Sequence, residues 1–546
     1  VASNGGMFTN HGEITVGSGN GILVQSGGYG VNSASGTITL AGKGYGAKVE
    51  DGDFLNAGTI NFSSKNGGSC ANVSVGGECV DNVDETETTS ANGLIYIGKN
   101  GTFINSGVVD MEGETVDFDS MRDEESGAFV VAKGGTYKAD SFKGAVVAGK
   151  DIVKGGFEDK YVNENSFEGK NEGLSVSSGS YMFDAALKDN GDSVDVEMAR
   201  KEFDTLVEDK EIAGFLETNY KLENNEAMYD ALKDAEDKAT FDETTRLETG
   251  QNFYANLPRE NMAVLRGLNA QEQSRILEDG LDGGSIGMDY FQIGKDAQGG
   301  LSGYADNVYS PYASYGKKLG GGWSIGATLR GAYADAEYDE AASSRDNKIL
   351  MAYMPILYQN GGFKFLTMPS AGAGYGTYKR HAVSGTYEAD TLDLYYGLYN
   401  HAEYSVDMKV AELVAEAELN LQGASMSEAE EDGGLNLQSN DSLSLEAGVG
   451  LKLRKRIQLA KERSLMLAIG AKYYHELLDP YKNLRAGMDG SPVDFGIRAY
   501  DEDENRLQTT AEAVYKDGDF AVAAEISHNA EKESSIEGGV GVRYNF

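Results

Sequence analysis

The sequence predicts a mainly-β protein in three parts. These are a right-handed parallel β-helix or solenoid, a helical connector, and a twelve-stranded antiparallel transmembrane β-barrel with a helix in its pore. Three observations carry that prediction. The last eleven residues alternate in strict period two, with Ile536, Gly538, Val540, Val542, Tyr544 and Phe546 in one phase and Glu537, Gly539, Gly541, Arg543 and Asn545 in the other. A short phrase returns near the N-terminus at a period in the low twenties. Twelve alternating stretches fill the C-terminal half, joined by connections that are mostly tight at every second position and long in between.

Composition fits this fold class. The 546 residues allow two or three domains, and 72 Gly against 6 Pro, with 31 Tyr and 20 Phe, suits β-structure with many turns. A formal net charge of −40 argues strongly against nucleic acid as a partner and reads as solubility of an exposed surface. No run of eighteen apolar residues exists, so no transmembrane helix is expected. A mean hydropathy of −0.41 is compatible with a membrane barrel, whose lumen face and loops are polar. The start, Val-Ala-Ser-Asn, has neither Met nor an apolar signal segment and reads as a processed or truncated piece. Cys70 and Cys79 share a Gly-rich stretch and read as a small disulfide loop in an oxidising, extracytoplasmic setting. Two free thiols are the alternative, and no His lies nearby to complete a metal site.

The solenoid is expected over residues 1–180. The phrase Asn10 to Val16 (Asn-His-Gly-Glu-Ile-Thr-Val) recurs from Ser35 to Leu40, from Asn56 to Phe62 and from Asn105 to Met111. Its glycines, Gly12, Gly36, Gly58 and Gly107, are spaced by 24, 22 and 49, the last close to two periods. Gly21 to Val24, Gly46 to Val49 and Gly93 to Tyr96 keep similar step. Such a period with Gly/Asn corners is that of a β-helix rung, whereas a leucine-rich repeat needs a Leu ladder that is missing here. The extra material from Cys70 to Thr89 is expected to bulge from one rung. Residues 181–200 then read as a hairpin with an Asn190-Gly191 turn, closing the open end of the stack.

Residues 201–284 change period. Phe203, Leu206, Val207, Ile212, Phe215 and Leu216 approximate helical spacing, and the stretch from Asn261 to Glu278 is a good helix candidate. About twenty residues at ~1.5 Å each would reach roughly 30 Å, the thickness of a bilayer core. Met262, Leu265 and Leu268 are accompanied by Arg266, Glu272 and Arg275, too many charges to face lipid. That mixture suits the inside of a water-lined barrel, with an ordinary soluble helical hairpin as the alternative.

Residues 285–546 hold the twelve strands, expected near 286–294, 306–317, 321–338, 346–359, 361–380, 389–406, 408–423, 441–454, 463–477, 505–516, 518–529 and 536–546. Gly316 to Gly322, Gln359 to Gly362 and Lys516 to Asp519 are tight connections, whereas Ser425 to Asn440 and Leu478 to Asn505 are long and acidic. An even count with the C-terminus on the tight side puts both barrel ends in the periplasm. Arg454 to Arg463 is long and unusually basic for a tight turn.

Solenoid, capping hairpin, helix, twelve strands and terminal aromatic, in this order, resemble a monomeric autotransporter of Gram-negative bacteria (type V secretion) over the whole chain. The ending Val542-Arg-Tyr544-Asn-Phe546 resembles the barrel assembly signal, here Val540, Val542, Tyr544 and Phe546. Thr249 to Pro258 resembles the family's pre-barrel sequence, as does Tyr474-His-Glu476, and residues 181–200 resemble its autochaperone region. The resemblance implies a barrel inserted in outer-membrane lipid with help from the barrel assembly machinery, acting as a monomer. It also implies a solenoid passenger exported to the cell surface, with the helix left in the pore.

The passenger then reads as a tethered adhesin binding a host or bacterial surface ligand. The alternative is an enzymatic or toxin passenger lying upstream of Val1. Neither a catalytic site nor a cofactor is expected. Gly191-Asp192-Ser193-Val194 is better read as a hairpin turn than as a hydrolase motif, for want of a nearby His. The five histidines, His11, His381, His401, His475 and His528, show no metal-ligand spacing, so no metal site is expected either. Asn224-Asn225 resembles the pair at which some family members self-cleave. It lies upstream of the pore helix, so the solenoid is expected to stay attached.

Overall fold

Short alternating strands separated by Asn, Gly and Ser corners pair in parallel from rung to rung, and that pairing builds the N-terminal unit. The computed structural model describes residues 1–62, 94–111, 115–122, 127–297, 301–339, 342–500, 503–530 and 535–546. The chain forms two units, one of Val1–Glu208 with Glu226–Thr244 and the other of Asp209–Asn225 with Thr245–Phe546. The helices of the 201–284 stretch are thus shared between the two.

In the first unit three columns of strands run in parallel register for about five turns. One column is Met7–Asn10, Gly28–Asn32, Gly52–Asn56, Gly101–Asn105 and Ala128–Val131. A second stacks Ile14, Ile38, Ile60, Val109 and Tyr137 in direct register. A third aligns Val24, Val49 and Ile97. Ile38, Phe54, Ile60, Phe103 and Phe129 are fully buried, and each such side chain contributes about 1.5–3 kcal/mol. The Phe54 and Phe103 rings stack with centroids 5.4 Å apart.

The repeated phrase owes its two polar letters to geometry. Its asparagines stand above one another and are buried: Asn10 Nδ2 donates to Asn32 Oδ1 at 2.8 Å, Asn32 to Asn56 at 2.8 Å, and Asn56 to Asn105 at 2.9 Å. Its glycines are required by close approach, since a Cβ on Gly58 would lie 2.2 Å from the Gly36 carbonyl oxygen and one on Gly107 2.1 Å from that of Gly58. Direct pairing of Asn56 with Asn105 also corrects the two-period reading of the 49-residue spacing. It is a single rung step carrying an insertion. Residues 63–93, with Cys70 and Cys79, lie outside the described residues.

The stack ends by changing strand direction. Lys160–Ser178 pairs in parallel with Thr136–Ala148 on one edge and antiparallel with Ser193–Arg200 on the other. Phe183–Asp189 adds to Ser193–Arg200 through a turn in which the Asn190 N–H donates to the Ser193 carbonyl at 2.8 Å. Asn190-Gly191-Asp192-Ser193 is therefore a hairpin connection. Helix Glu226–Asp234 belongs to this unit, with Tyr229 edge-on to Phe157 and Phe203.

The second unit is a closed antiparallel barrel of twelve strands. They are β1 (Gly283–Lys295), β2 (Tyr304–Gly320), β3 (Trp323–Tyr338), β4 (Ser344–Tyr353 continued by Ile356–Asn360), β5 (Phe363–His381), β6 (Thr386–Asp407), β7 (Glu412–Met426), β8 (Asn440–Ala460), β9 (Arg463–Glu476), β10 (Asn505–Asp517), β11 (Phe520–Ala530) and β12 (Ser535–Asn545). The barrel closes where β1 pairs with β12, from Ser285–Asn545 to Gln292–Gly538. β4 is interrupted at Met354-Pro355 because proline has no N–H for the ladder, yet its register against β3 continues on both sides. The basic stretch 454–463 is strand up to Ala460, leaving Lys461-Glu462 as a tight turn. Its charge has a purpose within the fold: Arg456 forks onto both oxygens of Glu278 at 2.6 Å, at the end of the central helix.

The long loops are folded. Residues from 427–439 and 477–504 form a four-stranded sheet of Ala429–Glu430, Asn436–Leu437, Leu484–Gly487 and Phe495–Ile497. Helix Lys210–Lys221 packs on it, with Phe215 and Phe495 centroids 4.6 Å apart.

Candidate functional site

The barrel interior is the site, and helix Asn256–Asp279 fills it. At ~1.5 Å per residue, its 24 residues span roughly 36 Å. All six residues expected on it are there. Met262, Leu265 and Leu268 are buried, and Arg266, Glu272 and Arg275 reach the wall. Arg266 lies 3.7 Å from Glu446 and 3.6 Å from Glu476. Glu272 takes Arg275 at 2.5 Å, Arg330 of β3 at 3.0 Å and the Thr328 hydroxyl at 2.7 Å. Arg330 in turn binds Asp289 of β1 at 2.7 Å. A polar helix is stable here because every strand turns charged residues inward to meet it.

Sequence reading missed most of those partners, and three further anchors on the helix. Glu260 receives Arg345 at 3.1 Å, and Arg345 also binds Asp393 at 2.5 Å. At the far end Glu278 and Asp279 bind Arg456, Lys516 and Arg543. The signal was present: Asp289, Arg330, Arg345, Asp393, Glu418 and Lys472 all sit in the inward phase of their strands. Spacing along the chain gives no clue to which of them meet.

The helix has a direction. Its C-terminus reaches β1 through Gly280 to Asp282 beside the tight turns, where Lys318 binds Asp282 at 2.8 Å. Its N-terminal approach lies among the long loops. There the Tyr254 hydroxyl donates to Glu431, which Arg380 holds at 2.7 Å, and Asn256 Nδ2 donates to the Ser302 carbonyl at 2.8 Å. These residues belong to the Thr249–Pro258 stretch. Just ahead, burial pushes the Glu248 carboxyl above its usual range, against two hydrogen bonds from Ser384 that lower it. Tyr474 and Glu476 also serve the lumen, donating to Glu418 at 3.1 Å and accepting from Ser444 at 2.5 Å respectively.

The outer face is the reverse. Val540, Val542, Tyr544 and Phe546 all point outward and are about half exposed or more. Phe546 exchanges two backbone hydrogen bonds with Gly284 of β1, at 2.8 and 2.9 Å. Its ring covers Gly284, where a Cβ would lie 2.4 Å from the ring edge. Leu329, Leu350, Leu451, Ile469 and Ile526 likewise face outward. An apolar belt around a charged interior is what a lipid-embedded, water-filled barrel requires. No helix among the described residues is long and apolar enough to cross a membrane.

Residues 289–521 match the family model described as the autotransporter beta-domain. That match runs from β1 to β11 of the barrel. Solved structures to which the chain is similar include the translocator domain of the autotransporter NalP from Neisseria meningitidis, at 18% identity and a TM-score of 0.41, covering 52% of this chain and 98% of that one. The β-domain of the Bordetella autotransporter BrkA matches at 16% identity and a TM-score of 0.36, covering 48% of this chain and all of that one. The transport unit of AIDA-I from Escherichia coli matches at 12% identity and a TM-score of 0.33, covering 50% and 92%. No curated protein matches the chain. The three solved structures are translocator, β- or transport domains of autotransporters, and the N-terminal region of this chain is the parallel β-solenoid.

Asn224 and Asn225 follow helix Lys210–Lys221 beside the loop sheet, where Asn225 Nδ2 donates to the Gly433 carbonyl at 3.3 Å. They lie outside the lumen helix. His401, expected to have no metal-binding company, is brought by cross-strand register next to Glu403 and Glu416.

Proposed function

We propose that this autotransporter exports and displays its own solenoid as a tethered adhesin that binds a surface ligand, with no enzymatic step. One observation carries the export reading. The lumen helix enters β1 at the tight-turn end and its N-terminus leaves among the long loops, so the polypeptide leading to the solenoid threads the barrel. Tethering is supported by the position of Asn224-Asn225 outside the lumen. An adhesin is supported by a solenoid whose interior is filled with apolar side chains and an asparagine ladder, leaving its strand faces and inserted loops for binding. On this reading Val540, Val542, Tyr544 and Phe546 are read by the barrel assembly machinery, and the folded chain is a monomer in lipid.

Protease shaving of intact expressing cells tests it. A protected C-terminal fragment starting between residues 245 and 285, running faster unheated than boiled, is expected. Recovery of the whole chain in the soluble fraction, or its complete digestion, contradicts the display reading. Loss of adhesion after shaving, with the barrel intact, separates the adhesin reading from mere display.

A further inference from the structure

Most carboxylates in the lumen are answered by a cation at hydrogen-bonding distance; Glu416 of β7 is not. His401 and Glu403 of β6 face Glu418 and Glu416 of β7 in directly paired positions, His401 with Glu418 and Glu403 with Glu416. Two carboxylates directly opposite across strands repel, more so in a buried setting. The Glu416 side chain is 1% exposed and neither of its oxygens has a hydrogen-bond partner. Lys452 and Lys472 stand 3.5 Å from those oxygens because each makes a shorter contact elsewhere, to Glu512 at 2.8 Å and to Glu418 at 2.7 Å. Glu403 turns Oε1 toward Lys364 at 3.0 Å and Arg454 at 3.5 Å, and Oε2 toward His401 Nε2 at 3.7 Å.

His401 is arranged as a ligand. It is 2% exposed, and its Nδ1 lies 3.0 Å from Glu418 Oε1, with the Gln273 amide of the helix at 2.7 Å. Nδ1 has two alternatives, accepting from the Gln273 amide or donating to Glu418. In the tautomer that donates to Glu418, the one a metal site requires, Gln273 donates to Glu418 at 3.2 Å and the lone pair falls on Nε2, which has no hydrogen-bond partner. Nε2, a Glu403 oxygen and a Glu416 oxygen all lie within 4.8 Å of one another. They line a cavity of about 140 Å³, room for an ion and several waters.

We propose that His401, Glu403 and Glu416 bind a divalent transition-metal ion such as Zn²⁺, with water in the remaining position and Glu418 orienting the imidazole. One nitrogen and two carboxylates suit Zn²⁺ and disfavour Ca²⁺, which takes an all-oxygen shell of six to eight ligands. The ion cancels the Glu403–Glu416 repulsion and ties β6 and β7 to the helix through Gln273. It acts on barrel stability, whatever the passenger does.

The test uses the full chain in detergent, stripped with EDTA and titrated with ZnCl₂ by calorimetry. Elemental analysis and the temperature at which the unheated band converts to the boiled one are measured alongside. One Zn²⁺ per chain is expected, with a rise in conversion temperature that CaCl₂ does not reproduce. Glu416→Gln keeps the shape of the side chain and is expected to preserve the heat-modifiable barrel while weakening binding about tenfold or more; His401→Ala is expected to abolish it. Absence of Zn²⁺ binding overturns the proposal. So does binding that Glu416→Gln leaves unchanged, which would place the ion elsewhere, or an equal response to Ca²⁺.

Discussion

The solenoid and the barrel are both β-structures with every rung or strand paired, yet they are inside out relative to each other. In the solenoid, Phe54, Phe103 and Phe129 fill the interior, and the buried asparagine ladder bonds from rung to rung and to backbone carbonyls. In the barrel, Arg330, Arg345 and Asp393 are fully buried while Leu329, Val449 and Ile469 are more than half exposed. The strands obey the same period of two; the solvent on each side decides which phase is apolar. Water surrounds one, and lipid is expected around the other.

Substitutions that are harmless in one setting should therefore be severe in the other. Glu272→Ala leaves Arg275 and Arg330 buried without their shared partner, and breaking such a set costs about 3–5 kcal/mol. The conversion temperature of the heat-modifiable band should fall sharply. An unchanged conversion temperature would mean that the helix is not held by this pair. Ile469→Arg, mid-strand on the outer face, should cost about 2–4 kcal/mol in lipid, whereas the same change on a water-facing surface is nearly neutral. Measuring refolding into vesicles decides which solvent that face sees.

In the solenoid, Asn56→Ala removes the ladder bonds to Asn32 and Asn105, which keep only their backbone partners, a loss of about 1–3 kcal/mol. Denaturant unfolding followed by far-ultraviolet circular dichroism should show an earlier first transition with the barrel band untouched. The smallest effect concerns Asp195 in the capping hairpin. The Asn165 N–H, the Asn190 amide and Lys188 hold its carboxyl below the usual range. Its stabilisation is therefore present above about pH 4 and is lost as pH falls through the lowered value. Asp195→Asn should flatten that acid limb of solenoid stability, and an unchanged pH profile would show the hairpin contributes nothing there.

Much of this architecture is legible in the sequence because period two and a period in the low twenties are local signals. The twelve strands, the alternation of tight and long connections, and the charged helix follow from them. Three features did not. The Asn56-to-Asn105 step looks like two periods by length, and only the pairing shows it to be one rung. The folded loops around Leu437 and Phe495 consist of strands too short to show alternation. Glu260 and Arg345 lie on elements far apart in sequence, and His401 meets Glu416 across one hairpin, so only the barrel's closure and register bring these lumen partners together.

Planar-bilayer conductance tests most directly whether helix Asn256–Asp279 fills the lumen. The full chain should show a closed or barely conducting state, and a variant lacking residues 250–280 should open a stable pore with severalfold higher conductance. A wide, stable pore in the full chain, unchanged by that deletion, would contradict a barrel whose charged interior exists to hold its own polypeptide.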